Sequence, residues 1–235
     1  MTTQQSVSTK MERNRLSTRS QVIVIVIVAV LAVAAVYVSI HLPSVIPNNT
    51  TPNHMLNQTT ITFNFDTGSP SLIEGQNTPI SQTSNGLTAS FSAPSDLAIP
   101  AFSIQSYDTT FIKLPQFSGR WLYDNKPSRD LLEIKFSQQL TSINFTFATL
   151  EYHGGPSTEP SNITLIAYVN STDTTPVGST SVHGTFISAL YPQGTLSFNS
   201  GGRPFNLVRI EIPYVPQGAT DFFLDNIIVT TIQQE

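Results

Sequence analysis

Two different arrangements of apolar residues divide the chain. From Val22 to Ile40 the sequence VIVIVIVAVLAVAAVYVSI runs for nineteen residues without a charge. Rising about 1.5 Å per residue as a helix, it spans roughly 28 Å, the depth of a bilayer's hydrocarbon. Alternating Val and Ile would favour a strand in water. In lipid a lone strand leaves every backbone amide without a partner, so a membrane-crossing helix over 21–41 is the expectation.

Beyond residue 60 the period changes from continuous to two. Leu132, Ile134 and Phe136 alternate with Glu133 and Lys135; Val208, Ile210 and Ile212 alternate with Arg209 and Glu211; Ile143, Phe145 and Phe147 alternate with Asn144, Thr146 and Ala148. Such alternation marks strands with one buried and one wet face. The same reading, applied between Pro, Gly and Asn turns, predicts strands at 61–65, 87–92, 102–106, 131–136, 143–152, 163–169, 177–182, 195–199, 207–212 and 222–230. Phe222 to Val229 is apolar on both faces and predicts a central strand. No amphipathic helix is predicted after residue 41. The fold class is therefore all-β, a two-sheet antiparallel jelly-roll sandwich preceded by one transmembrane helix, with a barrel as the second choice. The expected divisions are a basic tail (1–20), an anchor (21–41), a Pro- and Asn-containing stalk (42–60), a domain (61–232) and a short tail (233–235).

Charge sharpens the membrane expectation. Residues 1–20 carry four basic residues and one acid, a net of +3, whereas the remainder carries seven basic and fourteen acidic residues, a net of -7, which together give -4. Lys and Arg are retained on the cytoplasmic side, so the N-terminus is expected inside the cell membrane and the C-terminal domain outside. The apolar run exceeds the roughly 7–15 residues of a signal-peptide core, and the small residues Ala32 and Ala34 lie within it, so an uncleaved signal anchor is expected over a cleaved signal. An acidic body disfavours nucleic acid as a partner. The absence of Cys excludes disulfides, zinc ribbons and a cysteine nucleophile.

Catalytic motifs are missing: the sequence has no HExxH, no GxSxG and no glycine-rich phosphate loop. His41, His54, His153 and His183 are scattered. Glu133, Glu151 and Asp130 are the carboxylates that a glycosidase reading would need to bring into one cleft, and surface charge is the simpler reading of them. The segment Arg120-Trp121-Leu122-Tyr123-Asp124-Asn125 holds the only Trp beside planar hydrogen-bonding groups, the combination that stacks on and orients a sugar. Trp121 and Tyr123 share a parity, so packing on one sheet is the competing reading. Asn48, Asn49, Asn57, Asn144, Asn162 and Asn170 head N-x-Ser/Thr acceptors, which suit an exterior location if the cell glycosylates them.

Thr62-Phe63-Asn64-Phe65-Asp66-Thr67-Gly68, LEIKF followed by INFTFA, ITLIAYV and the closing FFLDNIIV together resemble secreted jelly-roll domains of the galactose-binding and carbohydrate-binding-module kind. That resemblance spans most of 61–231. It implies a structural Ca²⁺ held by an acidic residue near the first strand and the Asp of the last, here Asp66 and Asp225; the alternative is that Asp66 caps a turn and Asp225 accepts hydrogen bonds from a neighbouring loop. The functional expectation is a non-catalytic, membrane-anchored binding module for glycans or surface proteins. The alternatives are a structural, glycosylated envelope or adhesion component whose domain packs against copies of itself, and a surface glycosidase.

Overall fold

The computed structural model describes residues 58–94, 100–106, 114–125, 131–151, 159–188, 191–216 and 218–232, which belong to one compact unit. The strands are β1 (Gln58–Phe63), β2 (Ile80–Ser84), β3 (Leu87–Ser92), β4 (Phe102–Ser106), β5 (Arg120–Asp124), β6 (Leu132–Glu151), β7 (Asn162–Tyr168), β8 (Gly178–His183), β9 (Thr185–Ser188), β10 (Tyr191–Asn199), β11 (Phe205–Glu211) and β12 (Ala219–Ile232). Neighbouring strands are antiparallel throughout. Among the described residues no helix is long and apolar enough to cross a membrane; the apolar run at 22–40 lies outside them.

The long strand β6 organises the rest. Its first half pairs with β3 on one edge and β11 on the other, and its second half pairs with β10 and β12. Between the halves, Ser137-Gln138-Gln139 interrupts the alternation. Inward positions change parity there, from Leu132, Ile134 and Phe136 to Ile143, Phe145 and Phe147. The ladders to β11 and β12 shift register at the same place, as expected where one strand leaves one layer for another. The result is one layer of β2-β3-β6-β11-β7-β8 and another of β4-β5-β12-β6-β10-β9, with β1 beside the second half of β12.

The layers close over a common core and form a β-sandwich. Phe63 of β1 meets Phe136 of β6 at 6.2 Å between ring centroids, and Phe198 of β10 meets Phe205 of β11 at 5.5 Å. Burying each such ring contributes roughly 1.5–3 kcal/mol, which lets a cysteine-free domain hold together on apolar contacts.

Two outer edges are covered by the protein's own backbone. Ser69 and Thr83 exchange N–H···O bonds of 2.9 and 2.7 Å along β2, while Gly75 and Thr78 donate to Ile104 and Phe102, and Ile104 donates to Gln76, along β4. The stretch 69–78 is thus a strap across both edges.

Candidate functional site

The register of the second layer puts Ser103, Tyr123, Phe223, Ala148 and Gln193 in one row across β4, β5, β12, β6 and β10. All lie on its outer face, because their neighbours Leu122, Phe222, Leu224, Phe147 and Leu196 alternate into the core. Phe223 is fully buried between two half-buried tyrosines: Tyr123 lies 5.0 Å and Tyr191 5.8 Å from its ring. Asp221 shares their face two residues before Phe223. Burial, and after it the charge of Asp221, pushes both phenols above their ordinary value. At pH 7 they are neutral hydroxyls able to donate and accept.

One side of this aromatic row is roofed by the segment Leu114 to Gly119. Leu114 and Phe117 pack with Trp121, Ala148 and Phe223 in a second apolar cluster, with Phe117 edge-on to Trp121 at 5.8 Å. The Gln116 N–H donates to Gln193 Oε1 at 3.1 Å. Gln193 is buried, and its Nε2 has no hydrogen-bond partner among the described residues. A buried donor left unmet costs about 1–3 kcal/mol, and this one lies at the junction of roof and aromatic row.

The sequence-predicted patch is thereby divided. Trp121 is fully buried beneath Phe117, so its face is closed to a ligand, and Asp124 is buried as well. Tyr123 alone of the pair is partly open. Asn125 is exposed, accepts the Ser103 hydroxyl at 2.6 Å and lies at the rim. Arg120 contributes its backbone, as described below. Tyr191 and Gln193, with Pro192 and Gly194 between and after them, open strand β10.

Asp66 and Asp225 are brought together, from opposite ends of the domain's sequence, on the backbone at 118–120. Asn64 Oδ1 accepts the Asp66 N–H, the Thr67 N–H and the Thr67 hydroxyl, which shapes the turn carrying Asp66. A bulge after Asp225, with Asn226 at φ 50°, aims Asp225 at the same place. The Ser118 N–H donates to Asp225 Oδ2 at 3.1 Å and the Arg120 N–H to Asp66 Oδ1 at 3.0 Å. Between them Gly119 sits at φ 60°, where an added Cβ would lie 2.1 Å from Asp66 Oδ2. Only glycine fits. Burial, with a further push from Asp66, raises Asp225 to about 7 against the pull of the Ser118 and Asn226 amides.

A hard cation needs about six to eight oxygen ligands. Here both Asp225 oxygens and one Asp66 oxygen face N–H donors, Asn226 adding its backbone and side-chain amides to Asp225. Among the described residues no group of three His, Asp or Glu side chains is placed to hold a metal. These bonds give both carboxylates a loop-holding role.

The remaining candidates are dispersed. Glu133 pairs with Arg209 at 2.8 Å on the outer face of the first layer. Glu151 is buried at the far end of β6, where Thr149 donates to it and Ser161 donates both its hydroxyl and its backbone N–H. The two carboxylates do not share a cleft. His183 is exposed beside Glu159 at 3.7 Å. Asn162 and Asn170 are exposed, whereas Asn144 lies within the ladder and donates to Ser197 at 2.9 Å. His41, His54, Asp130, His153, Asn48, Asn49 and Asn57 lie outside the described residues.

Comparison with known protein families finds no match, and neither does comparison with curated proteins. Among solved structures, the K2 cleaved adhesin domain of Lys-gingipain is 9% identical, with a TM-score of 0.44 over 73% of this chain and 99% of its own. The CBM22-2 xylan-binding domain of Paenibacillus barcinonensis Xyn10C is 15% identical, with a TM-score of 0.34 over 61% of this chain and 91% of its own. The low-affinity xylan-binding module CBM86 of Roseburia intestinalis is 10% identical, with a TM-score of 0.31 over 74% and 96%. The chain is thus similar to carbohydrate-binding modules and adhesin domains. Scores this low leave the ligand to be argued from this chain's own residues.

Proposed function

We propose that the chain is a non-catalytic glycan-binding module, a jelly-roll sandwich held at the outer surface of a membrane by the apolar segment at 22–40. The observation that carries the reading is the outer face of the second layer: two partly open tyrosines packed on a buried phenylalanine, with the exposed amide of Asn125 at the rim. Sugar rings present C–H faces to aromatic rings and hydroxyls to amides and phenols, so this set of groups supplies both halves of the recognition. Asp221 makes the site acidic, which disfavours sialic and uronic acids and selects uncharged sugars. Glu133 and Glu151 stand apart, which favours binding over glycoside cleavage.

The test is affinity electrophoresis of the full chain through gels containing neutral polysaccharides, beside the Tyr123→Ala/Tyr191→Ala double variant. The reading expects the wild type to be retarded by at least one neutral polysaccharide and the double variant to run freely while keeping its thermal transition. Equal retardation of the two, or none for the wild type on any neutral or charged glycan, would refute it.

A further inference from the structure

Strands β8 and β9 form a nearly continuous run, joined only by Gly184, along one margin of the sandwich. β8 pairs with β7 in the first layer, and β9 pairs with β10 in the second, so the run closes that margin by passing from one layer to the other. Gly184 marks the crossing, where an added Cβ would lie 2.7 Å from the Pro192 backbone. Unlike β2 and β4, which the 69–78 strap covers, β8 has no backbone hydrogen bond on its outer side among the described residues. Thr180 and Val182 are consequently only half-buried although they face the core side, and Ile187 of β9 is 49% exposed.

Proteins with bare edges commonly protect them with Lys, Pro or bulges, because a row of open N–H and C=O groups templates another strand. β8 carries none of these: it reads GSTSVH, and the whole run GSTSVHGTFIS has no Asp, Glu, Lys or Arg. Its one ionisable group, His183, stands beside Glu159. A body with a net charge of -7 after residue 20 (seven basic, fourteen acidic) repels its own copies, least so along a neutral seam.

We infer that the β8 edge is a self-association surface, pairing antiparallel with the same edge of a second copy about a two-fold axis. The geometry is self-complementary: each open N–H on one copy meets an open C=O on the other, and the two β2-β3-β6-β11-β7-β8 layers become one continuous sheet. A six-residue seam is small, so the pairing is weak in dilute solution and depends on copies being concentrated in one membrane. This surface lies on the first layer and does not depend on the glycan reading, though its strength rests on the membrane anchor proposed above.

The natural absence of Cys gives a clean test. Ser181→Cys places a thiol at the exposed centre of β8, and Ser81→Cys places one on exposed β2, whose edge is covered. In the full chain in membranes, under mild oxidation, Ser181→Cys is expected to give at least about tenfold more disulfide-linked homodimer than Ser81→Cys. Adding Ser179→Lys to Ser181→Cys should suppress that product by setting like charges across the seam. Equal dimer from the two cysteine variants, no dimer from Ser181→Cys, or crosslinking of Ser181→Cys only to a different polypeptide would overturn the inference.

Discussion

The two outer faces of the sandwich are made by the same strand and differ in what covers them. Along its first half β6 turns Glu133 and Lys135 outward, and that face continues as hydroxyl pairs such as Ser81–Ser90 and Thr164–Ser181, with Arg209 bonded to Glu133 and lying 4.9 Å above the Tyr168 ring. Along its second half β6 turns Ala148 and Leu150 outward, and the face fills with aromatic rings under a loop. Water solvates the first face. Residues 114–119 cover part of the second, and the partly open Tyr123 and Tyr191 on it are the groups proposed to meet a ligand.

Removing the centre of the second face should produce the largest effect. Phe223→Ala would leave a cavity beneath both tyrosines and is expected to lower unfolding stability by roughly 3–5 kcal/mol, measured by urea denaturation. A loss below about 1 kcal/mol would mean that the cluster is not packed as described.

The roof's anchor should respond to pH. The folded state keeps the Asp225 proton up to about 7, whereas the unfolded chain releases it near 3.8. The contribution is therefore full below about 4 and lost as pH rises through 7, up to roughly 4 kcal/mol across that window. The thermal midpoint at pH 5 should exceed that at pH 8, and Asp225→Asn should flatten the difference. Calcium and a chelator should leave the midpoint unchanged; a rise with calcium would show that a cation displaces the Ser118 and Arg120 amides.

Gly119→Ala forces a side chain onto Asp66 at a left-handed position and should cost about 1–3 kcal/mol, exposing Trp121 to an acrylamide quencher. On the wet face, Glu133→Ala should cost no more than about 1 kcal/mol, because the ion pair with Arg209 is partly exposed, and it should leave glycan binding untouched.

Local alternation was enough to predict most strands, and the predicted central strand at 222–230 is β12, paired on both edges. Where the period slips, local reading fails. Ser137-Gln138-Gln139 split β6 into two predicted strands, although the chain runs on while changing layers. Strand β5 is short and bounded by Gly119 and Asp124-Asn125, and the start of β10 carries Pro192 and Gly194, residues that read as turn signals until a partner strand supplies their pairing. The site suffers most from this. Trp121 and Tyr123 have the same parity and the same chemistry, yet only one is roofed, because the roof is placed by contacts with Gln193 and Asp225 far along the chain. No spacing announces that.

The proposed glycan site is the outer face of the β12–β6–β10 layer. Hydrogen exchange followed by mass spectrometry on the full chain, with and without a retained neutral oligosaccharide, tests this most directly. The expected result is slowed exchange confined to 120–125, 191–195 and 219–225, with 162–168 and 205–211 unchanged. Slowing at 162–168 and 205–211 in place of those segments would put the ligand on the other face and contradict the account.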